Sequence, residues 1–170
     1  MTDTDVFQAP QISFNDLLRR AGFDPKNVRL MRHRDKDSLP GRSLYELWRD
    51  TPHEFERYQS YQSDDGLRNS AHWASFIVTP QGDTLFVGLY DIRNLGPTTM
   101  ALEWPTNGKT SEPGEHHLFE TTKNPVLALY EGRLVIDWGR GHLAWCQYAD
   151  RNDKAIIELK KALEYSFPDI

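Results

Sequence analysis

Two rhythms of hydrophobic and polar residues divide this chain near Gly66. Before it, apolar residues recur three and four positions apart, the period of a helix packed on one side. After it, they alternate in short runs, the period of a strand. The first part carries three helix starts. Ser13-Phe14-Asn15-Asp16 joins a serine cap to a carboxylate three residues on; Leu17, Leu18 and Ala21 supply the apolar face, and Gly22 ends the helix. Ser43-Leu44-Tyr45-Glu46 repeats the pattern ahead of Leu47 and Trp48. Thr51-Pro52-His53-Glu54 repeats it again, with proline at the first helical position. The helix that follows is expected to carry Phe55, Tyr58, Gln59 and Gln62 on one stripe. Between the first two helices, Val28 to His33 alternates Val28 and Leu30 against Arg29 and Met31, the pattern of a half-exposed strand.

In the second part, Trp73 to Thr79 and Thr84 to Ile92 are strand patterns on either side of Pro80-Gln81-Gly82-Asp83, which predicts an antiparallel hairpin. Asn94-Leu95-Gly96-Pro97 is expected to break the second strand, and residues 105–114, with two prolines and two glycines, read as an exposed loop. Leu127 to Tyr130, Arg133 to Trp138 and Ala144 to Tyr148 are three further strand candidates, and Lys154 to Tyr165 leans towards a helix. Short helices followed by a run of strands predict an α+β fold, with N-terminal helices packed on a curved antiparallel sheet or small barrel. Residues 1–12 read as a flexible leader and residues 13–170 as one domain.

Composition adds limits. At 170 residues one domain is expected, and 38% hydrophobic with 12% aromatic residues is enough for a sizeable core. The single cysteine, Cys146, excludes an internal disulfide and makes a cysteine-based zinc site implausible. The polar, acidic start from Met1 to Gln11 is unlike a signal peptide, and no apolar run approaches the roughly 18 residues of a membrane span. A cytoplasmic location is therefore expected.

Charge is distributed unevenly. Residues 19–49 hold nine basic residues against four acids, a balance of +5 in a chain whose formal net charge is −5. A phosphate backbone requires arginine and lysine on one surface rather than a basic protein. A solvated face balanced by neighbouring acids has the same composition. At the centre of this window lies Arg32-His33-Arg34-Asp35-Lys36, where a strand puts Arg32 and Arg34 on one face and His33 on the other. Two arginines on one face can grip a phosphate or flank a base edge.

Aromatic and amide residues supply the rest. Phe55-Glu56-Arg57-Tyr58-Gln59-Ser60-Tyr61-Gln62-Ser63 mixes tyrosine with glutamine and little aliphatic content. Buried amides need hydrogen bonds, so Gln59 and Gln62 either tie down the loop 63–72 or form a fork that reads adenine or phosphate. Trp73 and Trp138 stand at strand ends, the second followed by Gly139-Arg140-Gly141, whose glycines permit close approach of a ligand. Aromatic walls with an arginine are a common way to hold a nucleobase. Trp48 and Trp145 read as core. Adjacent histidines such as His116 and His117 point apart on a strand, which disfavours a metal site there, and the chain has no glycine-rich phosphate loop and no nucleophile elbow. No catalytic constellation emerges, and no cofactor or metal is expected.

With these segments in view, the chain resembles a bacterial module often fused N-terminally to GIY-YIG nuclease domains. The stretches that carry the resemblance are DLLRRAGFDPKNVRLMRHRD (16–35), GRSLYELW (41–48), FERYQSYQS (55–63), WASFIVTPQGDTLFVGLY (73–90), and EGRLVIDWGRG followed by W-C-Q (131–147). The resemblance implies a domain that delivers or regulates a nuclease by reading DNA. The sheet-rich half is similar, more loosely, to PUA-like folds that bind modified bases in an aromatic pocket. The chain ends at Ile170, without room for the nuclease, so no cleavage activity carries over.

The sequence thus reads as a non-catalytic nucleic-acid-binding module, for DNA or RNA, taking a modified or flipped base and associated with a nuclease. Arg32, His33, Arg34, Lys36 and Arg42 form its basic stretch, with phosphate contacts from the arginines and lysine. Tyr58, Gln59, Gln62, Trp73, Trp138 and Arg140 are expected to line the specific site. Two alternatives remain: a protein-interaction domain whose basic segment docks an acidic partner, and a nucleotide-binding domain.

Overall fold

The computed structural model describes residues 13–33, 43–62, 71–103, 110–138, 146–151 and 156–158. Helix α1 (Phe14–Arg20) starts where Ser13 Oγ accepts the Asp16 amide, at 3.1 Å. It stops in a Schellman turn: the Phe23 amide donates to the Leu18 carbonyl and the Gly22 amide to the Arg19 carbonyl, with Gly22 at φ +91°. Helix α2 (Leu44–Asp50) is capped in the same way by Ser43. Helix α3 (Pro52–Ser60) begins with proline, but Thr51 does not cap it; the Thr51 hydroxyl donates instead to the Leu47 carbonyl at 3.0 Å. The third predicted capping box is therefore absent, because α2 and α3 follow without a linker and the hydroxyl serves the end of α2.

The strands are β1 (Val28–His33), β2 (Tyr61–Gln62), β3 (His72–Val78), β4 (Thr84–Pro97), β5 (Leu102–Glu103), β6 (Thr110–Ser111), β7 (His117–Asn124), β8 (Val135–Asp137), β9 (Cys146–Tyr148) and β10 (Ile156–Glu158). Eight form one sheet in the order β10-β8-β4-β3-β1-β9, with β7 on β4 and β2 on β7; β5 and β6 pair separately. The predicted hairpin forms: β3 and β4 are antiparallel across a turn in which Gly82 has φ +88°. The sheet is nevertheless mixed, since β1 runs parallel to β3. The β3–β4 and β4–β7 ladders each contain a register shift, and such bulges increase twist and curl. The result is the expected α+β fold on a strongly curved sheet.

Four expectations are corrected. First, Asn94-Leu95-Gly96-Pro97 does not break β4. Asn94 Oδ1 accepts the Gly96 amide at 2.8 Å, Gly96 takes φ +98°, and Leu95 becomes the extra residue of a bulge while β4 continues to Pro97. Second, Leu127 to Tyr130 belongs to a 3-10 helix, Pro125–Tyr130, started by Asn124 Oδ1 on the Val126 amide. Third, the described part of the 154–165 tail is a strand, Ile156–Glu158, paired with β8. Fourth, β1 is not half-exposed. Val28 and Leu30 join the main core on one face, while Met31 and His33 are covered on the other.

The sheet lies between helices. On the face carrying Ala74 and Phe76, α1 packs Phe14 edge-on against Phe76, ring centres 5.2 Å apart, with Leu17, Leu18, Leu30 and Phe86 around it. On the face carrying Ser75 and Ile77, α2 and α3 bury Leu44, Leu47 and Phe55 against Ile77 and Val87. Asn15, fully buried, donates to the Ala149 carbonyl at 2.7 Å and ties α1 to the turn after β9. Among the described residues no helix is long and apolar enough to cross a membrane.

Candidate functional site

Strand β1 sorts the candidate residues by parity. Arg32 shares a face with Leu30 and, through its register with β3, with Phe76. His33 shares the other face with Met31, and with Trp73 and Ser75 of β3.

On the first face, the Arg32 guanidinium carbon lies 4.8 Å from the centre of the Trp138 ring. Trp138 is 4% exposed and takes the edge of Phe76 at 5.8 Å. A column thus runs from core phenylalanine through tryptophan to a partly exposed arginine, a cation–π arrangement that fixes where the charge sits.

On the second face, α3 crosses the sheet and sets Gln59 against β1 and β3. Gln59 is fully buried; its Oε1 accepts from Ser75 Oγ and lies 3.3 Å from His33 Nε2, which donates in the Nε2–H tautomer. Phe55 and Tyr58 present their rings edge-on to His33, at 5.6 and 5.7 Å. Burial pushes the His33 pKa down to about 4, with the Gln59 hydrogen bond opposing the shift. The histidine is therefore neutral near pH 7, which removes it from any phosphate-gripping role. Gln62 lies on β2 rather than on the helical stripe predicted for it, because α3 ends at Ser60; its Nε2 donates to the Gln59 carbonyl at 2.7 Å. The two glutamines are thus a buried strut between α3 and the sheet. One donor in it, Gln59 Nε2, is buried without a hydrogen-bond partner.

The expected pocket with Trp73 and Trp138 as walls does not form. Trp73 is fully buried against Met31 and Phe119, ring centres 5.0 Å apart for the aromatic pair. It stands on the opposite face from Trp138. A strand-end position looked like a rim in sequence, but β3 is interior, between β1 and β4, and β7 brings Phe119 over its start. Arg34, Lys36, Arg42 and Arg140 lie outside the described residues.

Three arrangements were not anticipated. Arg29 of β1 lies with its guanidinium carbon 4.0 Å from the centre of the Tyr148 ring on β9. Lys123 of β7 bridges Glu131 at 2.9 Å and Glu56 at 3.9 Å and sits 5.8 Å from the Tyr90 ring centre. Burial raises the Glu131 carboxyl above its ordinary range, and Lys123 opposes this. Burial likewise raises the Tyr90 hydroxyl, with Glu56 and Glu131 adding to it. These charges satisfy one another beside a shallow cleft bordered by Trp48, Arg49 and Pro52. Finally, His72 Nδ1 meets Asp91 Oδ1 at 2.9 Å, and Asn124 Nδ2 donates to the same oxygen at 3.3 Å. None of the three has a local sequence signal, since each joins residues from separate strands or turns. Neither a protein-family model, nor a curated protein sequence, nor a solved structure matches this chain.

Proposed function

We propose that this domain is a nucleic-acid-binding module that contacts phosphates through Arg32 and through Arg34, Lys36 and Arg42 in the segment that follows β1. The observation that carries the reading is the Arg32–Trp138 column. A partly exposed guanidinium laid on a buried tryptophan is already held in position, so it loses little freedom when it meets a phosphate. The basic balance of residues 19–49, set in an acidic chain, supplies the long-range attraction. Association with a nuclease, and a place with the nucleic acid of a bacterial cytoplasm, belong to the same proposal on the strength of the GIY-YIG resemblance.

The test is a pair of substitutions. Arg32→Ala with Arg34→Ala should weaken binding to unrelated sequences by similar factors, roughly tenfold or more in total, because phosphate contacts carry no sequence information. Circular dichroism establishes that the variant is folded. Unchanged affinity in the folded variant would remove both arginines from the interface.

A second reading, a docking surface for a protein partner, is favoured by Val126 and Leu129, which stand 47% and 70% exposed on one 3-10 helix. Substituting both with serine leaves nucleic-acid binding intact under the first reading; under the second, partner capture is lost while nucleic-acid binding is absent from the start.

A further inference from the structure

A relay of side-chain hydrogen bonds ends at one imidazole nitrogen. Asn124 Oδ1 accepts the Val126 amide at 3.1 Å, which turns the amide nitrogen of Asn124 towards Asp91. That nitrogen donates to Asp91 Oδ1 at 3.3 Å and lies 3.5 Å from Oδ2. Asp91 is thereby held as an acceptor, so its 2.9 Å contact with His72 is a bond donated by Nδ1–H. In the neutral ring a proton on Nδ1 leaves a lone pair on Nε2. Phe23 stands nearly at right angles to the imidazole, ring centres 4.9 Å apart, and helps fix its plane.

Nε2 is open to another molecule. The His72 side chain is 27% exposed, and among the described residues none bonds Nε2. The three residues come from the start of β3, the middle of β4 and the end of β7, and share one face of the sheet: His72 pairs with Asp91, and Asn124 with Leu89 two residues along β4. A surface ion pair needs only its two charges. Here a third residue, itself fixed by the start of the 3-10 helix, orients the carboxylate.

We propose that His72 is a general base that takes the proton from a ribose 2′-hydroxyl, with Asp91 and Asn124 as positioning residues, so that the domain cleaves single-stranded RNA. The inference rests on the nucleic-acid reading and adds an activity to it. The size of the effect selects the substrate. A positioned base contributes about 10²–10⁴-fold, well short of the roughly 10⁶-fold or more that enzymes typically supply. RNA carries its own nucleophile beside the scissile phosphate, so proximity is already provided and deprotonation is what remains. His72 Nε2 takes the 2′-hydroxyl proton, the 2′-oxygen bonds to phosphorus, and the bond from phosphorus to the 5′-oxygen breaks. Water protonates that oxygen, and the hydroxide left over takes the proton back from His72. The products are a 2′,3′-cyclic phosphate and a 5′-hydroxyl. His72 pairs with Val28 at the start of β1, four residues from Arg32 on the same face, or about 13 Å along the strand, which places the base within the span of an RNA held at Arg32.

The experiment incubates wild type, His72→Ala and Asp91→Asn with a single-stranded RNA oligonucleotide and with its 2′-deoxy counterpart, resolves the products on a gel and records binding by fluorescence anisotropy. Circular dichroism confirms folding, and His72→Gln provides the same comparison where the alanine variant does not fold. Wild type should cut the RNA strand only, leaving cyclic phosphate ends. His72→Ala should cut at least about 100-fold more slowly with RNA binding kept, and added imidazole should restore part of the rate. Asp91→Asn should also slow cutting while binding is kept. If wild type binds RNA without cutting it, or if His72→Ala cuts as fast as wild type, the activity is overturned and the nucleic-acid reading stands. If wild type binds neither strand, both fall.

Discussion

Protonating His33 puts a positive charge into a site walled by Phe55, Tyr58 and Gln59. Its pKa is about 4 in the folded chain against 6.5 when unperturbed, so between these values the unfolded chain binds more protons. Stability from this residue is complete above pH 6.5 and is lost as pH falls from there through 4. The full span is on the order of 3 kcal/mol. Urea denaturation of wild type and His33→Gln at pH 7 and pH 4.5 checks it: the wild type should lose roughly 2–3 kcal/mol more than the variant over that interval. Equal losses would place the acid sensitivity elsewhere. Gly88 makes a different demand. A Cβ there would sit 2.9 Å from Tyr90 Cε2 and 3.1 Å from Cζ, and the Tyr90 ring is buried, with little room to yield. Gly88→Ala should cost about 1–3 kcal/mol in chemical denaturation, the range for overpacking a filled core. A neutral result would show that the ring moves freely.

Among the elements, those with a local chemical signal were legible in the sequence, and those defined by their neighbours were not. The serine caps of α1 and α2 and the turn between β3 and β4 follow from single residues whose hydrogen bonds are local. Ser43→Ala should accordingly lower stability by about 1 kcal/mol in thermal or urea unfolding. Thr51→Ala removes no cap bond and should not lower it through that route. Strand β7 went unread because only Phe119 of its eight residues is buried; its polar sequence is held by pairing along β4 rather than by its own hydrophobic pattern. The misread 3-10 helix has the opposite cause. Pro125-Val126-Leu127-Ala128-Leu129-Tyr130 looks like a short buried strand, yet only Leu127 is buried, and Asn124 with Pro125 starts a helical turn. An apolar run without length does not distinguish the two.

Across the whole molecule, the mixed curved sheet separates residues that adjacency in sequence joins. Arg32 and His33 are neighbours, but one reaches Trp138 and the other Gln59, on opposite faces. The alternation along β1 already places Arg32 and His33 on opposite faces in the sequence, whereas the partner that each meets there depends on how distant segments pair and pack, which no local pattern encodes. The same pairing created the Arg29–Tyr148 contact from residues 119 positions apart. The central claim, that this basic segment grips phosphates, is tested most directly by salt. Binding to random-sequence single strands should weaken linearly on a logarithmic plot against salt concentration. Arg32, Arg34, Lys36 and Arg42 together predict a slope of about −3, and Arg32→Ala with Arg34→Ala should reduce its magnitude by about 1 to 2. A slope near zero, or one that the double substitution leaves unchanged, would contradict the account.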